Sequence, residues 1–303
     1  DLSITRRKMS TLQLHLSFAD HIHEIPKSEI ILGQHLGSGC SGHVYAGAYN
    51  GQPVAIKQFI CKNESNLPSI LHELEILALM DHPNVLALYG YVLDKHDIWV
   101  ITELAKCDLL QLLGPSTSDG LKETTLPYKT RKAYIRQIAN GLLYTITHGI
   151  IHQDLKLDNL LLAQNGQIKI ADFGLSQLTK KSTDFSTHSF AQGNYLHKSP
   201  EIWLLEFDAC PESKRALILT RSNVYTLGIL IMEIYVGYVE MKAWKGAESR
   251  EVTGQSIGFL MYSGFRLRPV EELQDDPVIY GIVRDCLRSE ERRVGKECRS
   301  RWS

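Results

Sequence analysis

Apolar and polar positions divide the first third of the chain into short strands and one helix. Residues 30–60 are predicted to form successive strands, and Asn50-Gly51 lies between two apolar runs as a hairpin turn. Pro68 opens a predicted helix with one apolar side, and strands resume between Tyr91 and Glu103. This order indicates a β-rich first part that contains a single helix.

The remainder of the chain is predicted to be mainly helical. One segment has a single apolar face with helical spacing, formed by Ile135, Ile138, Ala139, Leu142 and Leu143. A second hairpin is predicted around Asn165-Gly166. The most apolar run, residues 224–239, has polar interruptions and is shorter than the ~20 residues that a membrane span needs. We therefore expect a buried helix there and no membrane span.

An octapeptide in the helical part holds the residue types that phosphoryl transfer needs. It reads His-Gln-Asp-Leu-Lys-Leu-Asp-Asn over residues 152–159, and an Asp-Phe-Gly sequence that begins at Asp172 follows. Asp154 could accept a proton from an attacking hydroxyl, and Lys156 could neutralise charge on the phosphate. Asn159 and Asp172 could hold a metal ion, and their oxygen atoms suit Mg²⁺ rather than zinc.

Two further motifs precede this octapeptide in the order that nucleotide binding requires. A G-x-G-x-x-G-x-V pattern is formed by Leu36, Gly37, Ser38, Gly39, Cys40, Ser41, Gly42, His43 and Val44. Its glycines let the backbone approach phosphate groups closely. A Val-Ala-Ile-Lys sequence then ends at Lys57, whose amine is expected to contact the α- and β-phosphates.

Taken together, these ordered motifs resemble those of the protein kinase family, over residues 30–287. The resemblance implies an α+β, bilobal protein kinase fold, with a small β-rich N-lobe holding one helix and a larger, mainly helical C-lobe. We assign residues 28–103 to the N-lobe, 104–287 to the C-lobe and 1–27 to an extension or linker.

The same resemblance implies the site residues and the cofactors, ATP and Mg²⁺. Asp154 and Lys156 are the expected catalytic residues, and Asn159 and Asp172 the expected metal ligands. Besides the glycine-rich segment, the expected ATP-binding residues are Ala55, Lys57, Glu73, Thr102, Glu103, Ala105 and Leu161. Glu73 is expected to pair with Lys57 and aim its amine at the phosphates. The backbone of residues 103–105 is expected to bind the adenine edge.

Substrate class and activity are less sharply indicated than the fold. Lys156 resembles kinases that phosphorylate serine or threonine of proteins, and residues 193–201 resemble the G-T-Y-R-W-M-A-P-E segment of the tyrosine-kinase-like group, which includes mixed-lineage kinases. Tyrosine specificity is disfavoured but open, and a small-molecule kinase is disfavoured further. Four sites depart from the family pattern: Gln153, Asn194, the pair His197-Lys198, and Asn223. A pseudokinase that acts as a nucleotide-binding scaffold is therefore the alternative.

Charge and cysteine usage narrow the expected partners and location. Residues 288–303 resemble a translated sequencing adapter, so we expect the C-lobe to be cut before its last helix. That tail holds six Lys/Arg and three Asp/Glu, so the rest carries −4 where the whole chain carries −1. Such an acidic body argues against nucleic-acid binding. Five widely spaced cysteines outside the tail favour reduced thiols, hence the cytoplasm, including the intracellular part of a larger protein.

Overall fold

A computed structural model of the chain describes residues 22–39, 42–60, 67–94, 97–113, 126–178, 197–202, 212–236 and 271–288. The strands are β1 (Ile30–Gly39), β2 (Gly42–Tyr49), β3 (Gln52–Ile60), β4 (Leu88–Asp94), β5 (Asp97–Glu103), β6 (Ala105–Asp108), β7 (Ile150–Ile151), β8 (Leu160–Ala163), β9 (Ile168–Ile170) and β10 (Gln177–Leu178). The α-helices are α1 (Leu67–Ala78), α2 (Leu109–Leu113), α3 (Tyr128–Thr147), α4 (Glu212–Val236) and α5 (Pro277–Cys286). Short 3-10 helices span Lys27–Glu29, Leu157–Asn159 and Glu271–Asp275.

The chain divides into two compact units. The first unit comprises Asp1–Cys107 and Leu161–Gly174, and the second comprises Asp108–Leu160 and Leu175–Ser303. The first is rich in strands and the second is mainly helical, which confirms the predicted α+β class. Residues 161–174 belong to the first unit, whereas the sequence placed them with the C-lobe. The predicted domain bounds stay a prediction.

The first unit is built on a five-stranded sheet with the order β1-β2-β3-β5-β4, in which all neighbours are antiparallel. The predicted turn between β2 and β3 is confirmed, because Asn50 and Gly51 have φ angles of 51° and 74°. Positive φ at both positions is what a two-residue hairpin turn requires. The second predicted hairpin is also confirmed, since β8 and β9 are neighbours in a sheet of order β6-β8-β9.

The two faces of the large sheet contribute to two separate apolar clusters, because side chains alternate between faces along a strand. The inner cluster contains Phe59, Ile70, Leu74, Tyr91, Ile98 and Val100, and it packs the sheet against α1. The outer cluster contains Ile25, Val54, Ile56, Val92, Trp99 and Ile101. Val54 and Ile56 of β3 therefore lie on the outer face, and Phe59 lies on the inner face. Lys57, two residues before Phe59, points to the inner face.

The end of the predicted N-terminal linker is part of the folded sheet. Ile25 was assigned to a polar extension, yet it is 1% exposed and belongs to the outer cluster. Its amide donates to the carbonyl of Tyr91 at 2.8 Å, and the amide of Tyr91 donates to the carbonyl of His23 at 3.0 Å. These bonds satisfy backbone groups on the edge strand β4, which would otherwise lack partners. Ile22 and Ile25, two isoleucines within a polar stretch, were the signal in the sequence.

The second unit contains the predicted amphipathic helix, with one error in its apolar face. Ile135, Ile138 and Leu142 of α3 are buried, as expected. Leu143 is 60% exposed, so its assignment to that face is wrong. Thr145 is fully buried instead, because its hydroxyl donates to the carbonyl of Leu142 at 2.9 Å and so needs no other partner.

Helix α4 begins well before the apolar run that predicted it. Within the part of the chain that the structure describes, its segment Leu217–Tyr235 is long and apolar enough to cross a membrane by length and composition. About two thirds of the segment (67%) is buried inside the protein, which is the pattern of a core helix. The length of the apolar run alone therefore does not exclude a membrane span, whereas the burial of the segment supports the predicted buried helix.

Asp276 links three helices of the second unit. Its carboxylate accepts hydrogen bonds from the hydroxyls of Tyr128 on α3 and Tyr235 on α4, the latter at 2.8 Å. It also caps the N-terminus of α5 by accepting from the amide of Ile279 at 3.2 Å. The bond from Tyr128, followed by those from Tyr235 and Ile279, lowers the pKa of Asp276 to about 2.

Replacing Asp276 with alanine is expected to lower the free energy of unfolding by about 1–3 kcal/mol, because two tyrosine donors and the helix cap lose a charged acceptor. Asp275→Ala is the matched control, since this neighbouring aspartate is exposed. Chemical denaturation of both variants measures the effect. The depressed pKa implies that the contribution is complete above pH ~4 and is lost as the pH falls toward ~2. Equal stabilities of the two variants at pH 7 would contradict this role.

Candidate active site

A buried ion pair joins β3 to α1 in the first unit. The amine of Lys57 donates to Glu73 Oε1 at 2.8 Å and to Oε2 at 3.2 Å, which confirms the predicted pair. Asp172, which follows β9, lies on the other side of the amine, with 3.5 Å between Lys57 Nζ and Asp172 Oδ1. One cation is therefore shared by two carboxylates of the same unit.

The charges of this cluster determine how it titrates. Burial by itself lowers the pKa of Lys57, but Glu73 and Asp172 outweigh burial and raise it. The Lys57 amine is thus held in its charged form. Two carboxylates against one ammonium leave a net negative charge, and Asp172 is 43% exposed on its side chain. The cluster is therefore suited to receive a further cation.

Backbone geometry at Asp172 marks it as a special position. Its φ angle is 62°, in the left-handed region that non-glycine residues seldom adopt. Such strain is found most often at functional sites, where the surrounding structure holds it. Gly174 follows, and a Cβ there would lie 3.6 Å from Glu73 Oε2 and 3.7 Å from Asp172 Oδ1. The Asp-Phe-Gly motif thus lies directly against the ion pair.

The glycine-rich hairpin consists of β1 and β2, and its tip residues Cys40 and Ser41 lie outside the described residues. Gly42 has a φ angle of 138°, and a Cβ there would approach the carbonyl oxygen of Gln58 to 2.1 Å, so glycine is required. Val44 pairs with Lys57 in the β2–β3 register and shares its face of the sheet. The side chain of His43 therefore lies on the opposite face, away from Lys57.

The segment from β5 to β6 holds the residues expected near adenine. Thr102 is buried and pairs with Ala55 in the β3–β5 register. The amide of Glu103 donates to the carbonyl of Ala87 at 3.1 Å and is therefore already engaged. Ala105 begins β6. The carbonyl of Glu103 also accepts from the hydroxyl of Thr102, at 3.4 Å. The predicted backbone contacts of residues 103 and 105 with adenine stay predictions.

An ion pair that the sequence did not predict fixes Glu103. Lys169 on β9 is buried, and its amine lies 2.8 Å from Glu103 Oε1, which also accepts from the amide of Ala87 at 2.8 Å. Lys169 stands between the buried residues Ile168 and Ile170. A lysine inside a short apolar strand was the available signal, because a buried lysine requires an acidic partner.

The remaining nucleotide-binding candidates lie on elements of the first unit. Leu36 is on β1 and is 52% exposed, whereas Ala55 on β3 and Leu161 on β8 are half-buried. Among the described residues, every expected ATP-binding residue belongs to this unit. The first unit alone therefore carries the surface proposed for the nucleotide.

The expected catalytic residues lie together in the second unit. Asp154 is nearly buried, and its Oδ2 lies 3.4 Å from the amine of Lys156. The side-chain amide of Asn159 donates to the carbonyl of Asp154 at 2.7 Å and to its Oδ2 at 3.3 Å. Lys156 also lies 3.2 Å from Asp158 Oδ2. Burial lowers the pKa of Lys156, but Asp154 and Asp158 outweigh it and raise that pKa.

The hydrogen bonds of Asn159 determine which of its side-chain atoms could contact a metal ion. Asn159 uses its amide nitrogen in both bonds, so its amide oxygen is the atom suited to a cation. The amide oxygen of Asn159 in the second unit and the exposed carboxylate of Asp172 in the first unit are each of the oxygen type that Mg²⁺ accepts. Among the described residues there is no group of three or more His, Cys, Asp or Glu that could hold a metal ion.

Two departures from the family pattern leave buried amide nitrogens without partners. Gln153 Nε2 and Asn223 Nδ2 are buried and have no hydrogen-bond partner in the described part of the chain. Gln153 also has a φ angle of 64°. Asn194 lies outside the described residues.

His197, another departure, has a partner on α4. Its Nε2 lies 3.0 Å from Glu233 Oε2, and both side chains are at least 95% buried. The hydroxyl of Thr226 donates to the carbonyl of His197 at 2.8 Å. Glu233 and Thr226 are the residues that interrupt the apolar run, and both hold the same histidine. The polar residues within the apolar run of α4 therefore indicated that this helix contacts a polar partner.

Comparison with known proteins gives one family model, described as protein kinase domain, which matches residues 30–294. The chain is 33% identical over 71% of its length to a probable serine/threonine-protein kinase of Dictyostelium discoideum. It is 32% identical over 70% to Protein-tyrosine kinase 6 of Homo sapiens, and 29% identical over 75% to MAP3K epsilon protein kinase 2 of Arabidopsis thaliana. It spans only 22%, 44% and 15% of these relatives.

Proposed function

The chain belongs to the protein kinase family, and on that basis we propose that it transfers the γ-phosphoryl group of ATP to serine and threonine hydroxyls of proteins. The observation that carries this proposal is the intact Lys57–Glu73 pair beside Asp172. Its counterpart in the second unit is the Asp154–Lys156–Asn159 cluster. Both arrangements supply groups whose charge and position match phosphoryl transfer.

In the first unit, the chain's own groups position the nucleotide. Glu73 holds the amine of Lys57 in place and charged, so that it can neutralise phosphate oxygens. Asp172 would hold Mg²⁺, which would neutralise the developing phosphate charge when bound. The amide oxygen of Asn159, in the second unit, stays a predicted ligand. The glycine-rich hairpin covers the phosphates with backbone amides rather than with the His43 ring.

In the second unit, Asp154 acts on the acceptor hydroxyl. Its carboxylate accepts the proton as the hydroxyl attacks phosphorus, and the nearby amine of Lys156 balances the negative charge. The bonds from Asn159 fix the direction of the Asp154 carboxylate. Lys156 is also the observation that favours serine and threonine over tyrosine, although relatives of both specificities are similar to the chain.

A pseudokinase is the second candidate function, and the buried amides favour it. Gln153 and Asn223 replace charged residues of the family pattern, and their nitrogens lack partners among the described residues. Such a protein would bind nucleotide, or only a protein partner, without transfer. The proposed location is the cytoplasm, where ATP is available and where the thiols of Cys107 and Cys286, which form no disulfide among the described residues, would stay reduced.

One experiment separates the two functions. The full chain is incubated with Mg-ATP labelled at the γ-phosphate and a mixed peptide pool, and nucleotide binding is measured on the same preparation. If the chain is an active kinase, we expect label on peptide for the wild type and a rate of labelling at least 100-fold lower for Lys57→Met. Binding of ATP with no transfer would favour the pseudokinase. Absence of both would contradict the kinase and the nucleotide-binding scaffold, and would leave only a pseudokinase that binds a protein partner.

Regulation by the loop after Asp172 is expected to be weak. Its candidate phosphoacceptors between Thr179 and Ser189 lie outside the described residues. Gln153 offers a phosphate only neutral hydrogen bonds, roughly half as strong as those of arginine. We therefore expect phosphatase treatment to change kcat by less than about threefold, equivalent to under ~1 kcal/mol. Gln153→Arg is the comparison variant. A tenfold or larger loss in the wild type would show that another cation serves the loop.

A further inference from the structure

The outer face of the glycine-rich hairpin carries two histidines that point at one oxygen atom. His35 Nε2 lies 2.9 Å from Ser38 Oγ, and His43 Nδ1 lies 2.8 Å from the same atom. The centroids of the two imidazole rings are 5.8 Å apart. Because both nitrogens converge on one point, a single small ion near that point can contact both rings.

The hairpin holds these groups in fixed register. Ser38 pairs with His43, and His35 pairs with Tyr45, in the antiparallel ladder of β1 and β2. The ring of Tyr45 meets the ring of His35 edge to face at 5.2 Å and packs against the outer cluster. One histidine ring therefore rests on a side chain that the core anchors, which limits the entropy lost when an ion binds.

The histidine side chains are accessible and lie on the face of the sheet opposite to Lys57, although Ser38 and His43 also belong to the glycine-rich segment expected to cover the phosphates. Tyr45 pairs with Ile56 of the outer cluster, whereas Val44 pairs with Lys57 on the inner face. The histidines therefore lie on the face opposite to the Lys57 amine. His35 and Ser38 are exposed and His43 is half-buried, so an ion in solution can reach the ring nitrogens.

We propose that His35 and His43 form a two-imidazole site for a divalent transition metal of the zinc class, completed by water after the hydroxyl of Ser38 turns aside. Zinc binds imidazole nitrogen at about 2.0–2.1 Å, so the ion would take the space that the serine hydroxyl now fills. Each ring would present the lone pair of a neutral tautomer. Mg²⁺ prefers oxygen ligands and would not compete. This site is independent of the proposed kinase activity.

Calorimetric titration of the full chain with Zn²⁺, without nucleotide, tests the proposal. We expect one site that His35→Gln and His43→Gln each weaken by at least tenfold. His148→Gln is the matched control, because this exposed histidine lies on another element and contacts the carbonyl of Tyr144. Its affinity should equal that of the wild type. No binding at 1 mM Zn²⁺ (roughly the limit of weak association) would overturn the proposal.

A second readout identifies the ligands directly. Electron paramagnetic resonance of the Cu²⁺-loaded chain is expected to show two coordinated imidazole nitrogens in the wild type and one in either histidine variant, since copper accepts the same ligands. Melting temperatures of the metal-free variants within error of the wild type establish that folding is intact. Wild-type binding by both variants, or loss in only one of them, would overturn the two-imidazole site.

Discussion

Replacing Asp154 with asparagine is expected to lower the rate of phosphoryl transfer by at least 100-fold while leaving ATP affinity within about threefold. The asparagine amide cannot accept the proton of the attacking hydroxyl, and a positioned general base contributes about 10²–10⁴-fold. Asp154 belongs to the second unit, whereas the described nucleotide-binding candidates belong to the first. The variant should therefore separate chemistry from binding.

The measurement compares kcat for a peptide substrate with the dissociation constant for Mg-ATP. Asp158→Asn is the control, because Asp158 also lies close to the amine of Lys156, at 3.2 Å. Its effect should be small, since its side chain is 42% exposed and the proposed mechanism assigns the proton to Asp154. A variant of Asp154 that retained more than a few per cent of the wild-type rate would remove it from the proposed role.

Replacing Asp172 with alanine is expected to abolish the dependence of ATP binding on Mg²⁺ and to reduce transfer at least 100-fold. The carboxylate is the exposed member of the Lys57 cluster and the donor best suited to a hard cation. Its loss would leave Lys57 and Glu73 paired but without a metal ligand. The first unit should keep its fold, because Asp172 is not part of either apolar cluster.

Calorimetry with ATP, in the presence and absence of Mg²⁺, gives the direct measurement. In the wild type, Mg²⁺ should tighten ATP binding, and in Asp172→Ala the two affinities should converge. Asp158→Ala is a matched control for removal of a carboxylate of nearly equal exposure, 42% against 43%. If Asp172→Ala bound Mg-ATP as tightly as the wild type, the metal role of Asp172 would be wrong.

Local rules predicted the elements of the first unit well. Asn50-Gly51 specified its turn because only a few residues tolerate positive φ at both positions. Glu73 was predicted from the resemblance to the protein kinase family, which places an acidic partner for Lys57 on this helix, and the ion pair is present. The turn follows from a local rule, whereas the ion pair needed the family pattern.

Features that depend on distant partners were missed. Ile25 was assigned to a linker because two isoleucines, Ile22 and Ile25, are too few to establish a periodicity. The residue with which Ile25 forms its backbone hydrogen bond, Tyr91, is 66 residues away. Lys169 and Glu103 lie on different predicted elements. The sequence could indicate that Lys169 needs an acidic partner, but it could not identify Glu103 as that partner. The tyrosine hydroxyls on Asp276 likewise required three helices to be placed first. Helical periodicity also erred at Leu143, which lies at the margin of its apolar face.

The acceptor hydroxyl tests the central claim most directly. Matched peptide arrays that differ only in serine, threonine or tyrosine at the acceptor position would be incubated with the full chain and Mg-ATP, with Asp154→Asn as the blank. We expect phosphate on serine and threonine peptides, with incorporation into tyrosine peptides at least tenfold lower. Phosphate mainly on tyrosine would contradict the proposed specificity, and no phosphate above the blank on any array would contradict kinase activity itself.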